Sequence, residues 1–143
     1  MADTALSAEM LAATHKAAFQ HQRPWSAAEF TSLLASPLIF TCGDSRAFAL
    51  VRVVADEAEL LTLATHPDHQ RQGLARALMP LWQQSAQSRG AQAAFLEVAA
   101  DNDAALALYS QTGFARVGQR PNYYTSPDGR VVDAILMRST LIG

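Results

Sequence analysis

Three short apolar runs follow one another in the first half of the chain, at 38–42, 47–54 and 59–65. Turn formers separate them: Gly43-Asp44-Ser45 after the first and Asp56-Glu57-Ala58 after the second. Runs of this length, punctuated by Gly and Asp, predict strands joined by tight turns. Ahead of them the period changes. Met10, Leu11, Thr14 and Ala18 share one side of a helical projection of Ser7 to Phe19, which predicts a helix. Ser26-Ala27-Ala28-Glu29 is a capping box, in which hydroxyl and carboxylate each satisfy an orphan backbone donor. A second helix therefore starts there and runs to about Leu34, with Pro37 beyond it.

The second half alternates helix and strand. Leu74, Ala77, Leu78, Leu81 and Trp82 recur at helical spacing, and Gly90 ends that pattern. Pro80 lies inside it and predicts a kink, because it removes one intrahelical donor. Ala93 to Ala99 reads as a strand. Asp101 or Asn102 then caps a helix running to about Thr112, with Ala105, Leu108 and Tyr109 on one face and Gly113 as C-terminal cap. Phe114–Gly118 and Val131–Met137 predict a last strand pair, with a Ser126-Pro127-Asp128-Gly129 turn between them. Helices and strands in this order predict an α/β layer architecture.

The join between the third strand and the third helix stands out. Gln70-Arg71-Gln72-Gly73-Leu74-Ala75 is a glycine-containing turn that opens a helix. Helix N-termini carry unpaired N–H groups and partial positive charge, so such a turn suits a phosphate or pyrophosphate. A side chain at Gly73 would hold the backbone away from that ligand.

Composition narrows the class. At 143 residues, half of them hydrophobic and 17% charged, the chain predicts one globular domain over 1–143. A net charge of -2 argues against phosphate-driven nucleic-acid binding. No apolar run is long enough to cross a bilayer, and Met1-Ala2-Asp3-Thr4 lacks a secretory leader pattern, so a cytoplasmic protein is expected. Cys42 is the single cysteine and reads as a small buried hydrophobe. His15, His21, His66 and His69 show no ligand spacing, so no metal is expected.

The segment at 70–75 resembles the acetyl-CoA signature of the GNAT acyltransferases, Gln/Arg-x-x-Gly-x-Gly/Ala. Further matches follow: Phe95-Leu96-Glu97-Val98, Asn102 with Ala104-Ala105, Ala107-Leu108-Tyr109, Gly113-Phe114, Pro121-Asn122-Tyr123-Tyr124 and Asp128-Gly129-Arg130 before Asp133-Ala134-Ile135. With Pro24-Trp25-Ser26 near the start, they are similar to the bacterial ribosomal-protein-alanine N-acetyltransferase branch (RimI-type). The likeness is dense from about Asp56 to Met137 and thin before it. It departs from the branch at Thr62, Ala99 and Thr65-His66, on the expected acceptor side.

The resemblance implies a single GNAT-type domain with a central, mostly antiparallel mixed sheet flanked by helices. Its first strand would be short or missing, leaving a sheet edge able to pair with a second copy. It also implies direct acetyl transfer from acetyl-CoA to a protein or peptide N-terminal amine, such as the alanine of a small-subunit ribosomal protein, without nucleic acid or membrane. Glu97 would be the general base and Tyr109 the general acid. Leu63, Ala64 and Thr65 would hold the thioester by their backbone, with one N–H facing the oxyanion. Arg71, Gln72, Gly73, Leu74, Ala75 and Arg76 would hold the diphosphate, and Asn102 and Tyr109 would touch the cofactor. Tyr123 and Tyr124 would wall the peptide groove. An ordinary carboxylate (pKa ~4.3) is a weak base toward an α-amine (pKa ~7.7–8.0), so burial or a relaying water is required.

Each residue also has a structural reading. Glu97 fits a solvated strand position, Tyr109 a core aromatic, Asn102 an N-cap, Trp25 an anchor, and Arg71 and Arg76 solvated charges. Two rival functions remain at this level: the same fold acting on lysine or a small-molecule amine, and a non-catalytic acyl-CoA-binding module.

Overall fold

Serines start the first two helices, the second through the capping box read in the sequence. Ser7 Oγ accepts the Met10 N–H at 3.1 Å and opens α1 (Ala8–Ala18). Ser26 and Glu29 close a reciprocal box, at 3.2 and 2.9 Å, and open α2 (Ala27–Leu34). The computed structural model describes residues 7–19, 24–125 and 128–141. Met1–Thr4, His21 and the Ser126-Pro127 half of the last expected turn lie outside them.

The strands are β1 (Ile39–Gly43), β2 (Ala47–Val54), β3 (Glu57–Thr65), β4 (Ala93–Ala99), β5 (Ala115–Thr125) and β6 (Val131–Thr140). They form one sheet in the order β1-β2-β3-β4-β6-β5. Every neighbouring pair is antiparallel except β3–β4, which is parallel. This is the mostly antiparallel mixed sheet expected. Among the described residues no strand precedes α1, so β1 and β5 are the sheet edges.

Some boundaries moved. β3 begins at Glu57, inside the expected turn, because Ala55 takes a left-handed φ of 55° and closes the β2–β3 connection around Ala55-Asp56. β5 runs past Gly118 and through Pro121. An edge strand tolerates a proline because its outer side needs no ladder donor.

Two layers of helix cover the sheet. α3 (Leu74–Ser88) and α4 (Asp103–Gln111) share one face, where Met79, Trp82, Leu106 and Tyr109 pack with Val51, Leu96 and Met137. On the other face α1 and α2 cover Phe48, Leu50 and Ala64 with Leu11 and Phe30. β2 is central enough to be buried on both sides, which is why its apolar run barely alternates.

The helix faces differ from the expected ones by part of a turn. In α1 the buried residues are Leu11, Thr14 and His15, while Met10 is exposed. The His15 ring stacks on Phe19 (4.3 Å) and Trp25 (5.0 Å), and its Nδ1 accepts the Trp25 N–H at 3.1 Å. An aromatic, hydrogen-bonded niche thus takes a histidine in preference to the methionine. In α3 the buried face is Leu78, Met79, Trp82 and Ala86, and Ala77 and Leu81 are exposed. The helix is continuous across exposed Pro80, so the carbonyl that loses its donor faces solvent. Cys42 is partly buried against the core, and burial raises its thiol pKa.

Phe48→Ala, which empties a fully buried site against Phe30, should cost about 3–5 kcal/mol in denaturant unfolding. Val117→Ala, on exposed β5, should stay within about 0.5 kcal/mol of the parent.

Candidate active site

β3 and β4 pair only at Glu57–Ala93, Ala58–Ala94 and Glu59–Phe95. Beyond that, β3 stays with β2 and β4 stays with β6, so the two strands part. The parting coincides with a bulge. Leu50 pairs with Thr62 and Val51 with Leu60, leaving Leu61 as an extra residue on β3. A bulge bends its strand, here just past the last β3–β4 pair. Across the resulting cleft, alternate backbone groups of 61–65 and 96–99 have no ladder partner. The strands lead into the N-terminal ends of α3 and α4, so the cleft lies at the carboxyl ends of the parallel pair, the usual ligand crevice of such sheets.

One compartment of about 480 Å³ lies between β3, the turn before α3, and α4. Leu63, Ala64, Thr65, Arg71, Gly73, Leu74, Ala75, Arg76, Asn102 and Tyr109 all line it. Of the expected cofactor residues only Gln72 does not; it is exposed within the same turn. His69 also lines this space, a contribution that no sequence signal marked. Arg71 and Gly73 both adopt left-handed φ, 64° and 78°. A Cβ built on Gly73 would meet no protein atom within 4 Å. The glycine therefore faces open space. Ser7, Ser26 and Asn102 cap their helices by side chain, but α3 has no side-chain cap and no acidic residue in its first turn. Its leading N–H groups stay available to an anion. Arg76 donates to Gln111 Oε1, which ties this end of α3 to α4.

A second compartment of about 200 Å³ lies deeper between the splayed strands. Phe19 and Trp25 wall it from the α1–α2 layer, Glu97 from β4 and Tyr124 from β5. Phe19, Leu63, Asn102, Ala105 and Tyr109 belong to both compartments and mark the seam where they meet. Asn102 is also the N-cap of α4, its Oδ1 accepting the Ala105 N–H at 3.2 Å. Trp25 serves both as anchor and as wall. Of the tyrosine pair, only Tyr124 lines the cleft, while half-exposed Tyr123 stacks edge-on against it at 5.1 Å. Among the departures from the branch pattern, Thr62 and Ala99 line this second compartment. Thr65 lines the first, and His66 lines neither, its Nδ1 accepting the Asp68 N–H at 3.1 Å.

Glu97 is three-quarters buried and faces Arg120, whose Nε lies 3.0 Å from Glu97 Oε2. That oxygen is buried and receives no well-directed hydrogen bond. Arg120 was missed by the sequence reading, although the Pro121-Asn122-Tyr123-Tyr124 motif begins one residue later. The sheet register explains the meeting. Glu97, Leu136 and Gly118 form one row across β4, β6 and β5, and Arg120 lies two residues on, on the same face. Burial, then the Glu97 charge, push the Tyr124 phenol up to about 12. Burial, then the nearby Tyr124, hold Tyr109 well above the ordinary phenol range, so it is protonated at neutral pH. Among the described residues no cluster of His, Cys, Asp or Glu could hold a metal ion.

A parallel strand pair splayed over a glycine turn, with an uncapped helix beside one arm and a carboxylate on the other, is the architecture of an acyl-CoA-dependent acyltransferase. The model of the Acetyltransferase (GNAT) family matches residues 8–114, and the chain belongs to that family. It is 41% identical over 133 residues to the [Ribosomal protein bS18]-alanine N-acetyltransferase of Escherichia coli (strain K12), covering 90% of this chain and 89% of that protein. The crystal structure of the Escherichia coli ribosomal-protein-S18-alanine N-acetyltransferase superposes with a TM-score of 0.84 at 38% identity, over 95% of this chain and 88% of that one. Arabidopsis thaliana NAA60, solved in complex with acetyl-CoA, shares the fold with a TM-score of 0.82 at 18% identity, over 96% and 94% of the two chains.

Gly73→Ala should cost only the left-handed strain, about 1–2 kcal/mol in unfolding. The new Cβ should nevertheless weaken CoA binding by calorimetry about tenfold or more, a loss of ~1.4 kcal/mol. A phenol whose pKa is raised by folding makes the folded chain bind protons more tightly than the unfolded one. The contribution of Tyr124 to stability is thus intact below about pH 10, the ordinary phenol value, and is lost as pH rises through about 12. Tyr124→Phe should flatten that alkaline decline and remove the matching part of the tyrosinate absorbance titration.

Proposed function

We propose that this chain, as one domain throughout, transfers acetyl from acetyl-CoA to the N-terminal amine of a protein in the cytoplasm, with the alanine terminus of a small-subunit ribosomal protein as acceptor. The observation that carries this reading is the seam. Tyr109 and Leu63 border both compartments, the uncapped α3 terminus lies on one side, and the Glu97 carboxylate lies on the other. The names of the relatives at 38–41% identity support the acceptor.

In this reading the diphosphate of CoA rests on the N–H groups after Gly73, with Arg71 beside it. The pantetheine arm runs along β3, where the missing β4 ladder leaves backbone groups to bond its amides. The thioester then lies at the seam. An unpaired N–H from 63–65 faces its carbonyl oxygen and stabilises the oxyanion as it forms. The acceptor nitrogen attacks the carbonyl carbon, the C–N bond forms, and the C–S bond breaks. The amine proton goes to Glu97, directly or through one water, and the sulfur takes up a proton at Tyr109.

Burial keeps the Tyr109 phenol protonated and also makes it a weaker acid. Its role is to hold a proton against the developing thiolate charge, not to release one beforehand. An α-amine at pKa ~7.7–8.0 demands far less of Glu97 than a lysine amine at ~10.4. The small second compartment, walled by Phe19, Trp25 and Tyr124, suits a short first side chain.

Intact-mass analysis should show one acetyl added to an alanine-starting ribosomal-type peptide. An N-terminally blocked twin with a free lysine, and a polyamine, should stay unmodified. Glu97→Gln and Tyr109→Phe should each slow turnover by about 10²–10⁴ while sparing CoA affinity. Modification of lysine or polyamine alone would overturn the acceptor, and unchanged turnover in both variants would overturn the mechanism.

A further inference from the structure

Resting on the acceptor reading above, we propose that Arg120 is a stand-in for the acceptor ammonium. Its guanidinium holds the charge position beside Glu97 that the incoming amine takes over, which makes Arg120 a positioning residue acting through Glu97.

Three observations carry this. First, the pair is close but loosely made: the ions are 3.0 Å apart, yet Glu97 Oε2 is buried without a well-directed hydrogen bond. Arg46–Asp44 and Arg52–Glu59, by contrast, are properly hydrogen-bonded at 2.8 and 2.6 Å. A buried carboxylate oxygen with a cation nearby and no aligned donor from the protein has acceptor capacity to spare. An ammonium brings three donors on a compact charge and can use it.

Second, the two partners differ in freedom. The Glu97 side chain is 23% exposed and fixed on an inner strand, whereas that of Arg120 is 53% exposed on edge strand β5. The Arg120 guanidinium also lies 5.2 Å from the ring centroid of half-exposed Tyr123, a cation–π contact that does not depend on Glu97. Third, β5 is anchored on either side of it. Gln119 and the Asn122 N–H both bond the Asp133 carboxylate, at 2.6 and 2.8 Å, so the side chain of Arg120 can move without its strand.

Exchange of one cation for another keeps Glu97 paired as the amine arrives. The arriving ammonium sheds two protons in the reaction: one passes through Glu97 to water, and the other balances the one taken up by sulfur. The product is then a neutral amide with no claim on the regenerated carboxylate, so Arg120 returns and favours release.

The test is calorimetric binding to the CoA-loaded protein of an alanine-starting peptide and its des-amino twin. The preference for the amine should rise about tenfold in Arg120→Gln, within the usual coupling range of contacting groups. It should return to the parent value in Arg120→Lys. In a Glu97→Gln background the Arg120→Gln change should leave the preference unaltered. In turnover, Arg120→Gln should lower the acceptor KM without a matching gain in kcat. If the amine preference depends on Glu97 but ignores Arg120→Gln, the stand-in proposal is wrong and the acceptor reading stands. If the parent shows no amine preference at all, both fall.

Discussion

The site depends on two parallel strands that stop pairing. β3 and β4 share three register pairs and then part, each held by its own antiparallel neighbour. A sheet that stayed closed would satisfy these backbone groups and leave no cleft. The bulge at Leu61 bends β3 where the separation begins, and the α3 and α4 layer fills the far side with Trp82, Met79 and Tyr109. Unsatisfied backbone is costly when buried away from water. Here it borders an open cleft, and in the proposed reading the unpaired arms bind the acyl donor.

Several residues serve packing and site together. Tyr109 belongs to the main core beside Phe114 and also borders both compartments. Asn102 caps α4 and marks the seam, and Trp25 cages His15 while walling the inner compartment. Such dual service fixes the rotamers of the site without a separate supporting layer. It also means that truncations here mix stability with activity, so conservative changes such as Tyr109→Phe are more informative than alanine.

The electrostatics are local. A net charge of -2 says little about a cleft in which one carboxylate and one guanidinium face each other beside two tyrosines. In the proposed reading the cofactor end relies on unpaired helix N–H groups and Arg71 and the acceptor end on Glu97, and the seam between them is mostly apolar and amide. That division suits a reaction joining a polyanionic donor to a cationic acceptor.

By itself the sequence determined the elements, their order and the glycine turn that opens α3. The capping box at Ser26, the glycine at 73 and the short apolar runs act over a few residues, and local physics decides them. The family motifs also placed Glu97, Tyr109 and Asn102 around one cleft. Only the tertiary structure decided which way each face turned and what met across the sheet. Met10 and His15 are both compatible with a buried helical side, and the aromatic niche of Phe19, Trp25 and Phe30 selected the histidine. Arg120 reached Glu97 through the β4–β6–β5 register, set by long-range pairing and two bulges that no local window contains. The cleft itself has the same origin, because the parting of β3 from β4 depends on which neighbour each strand keeps.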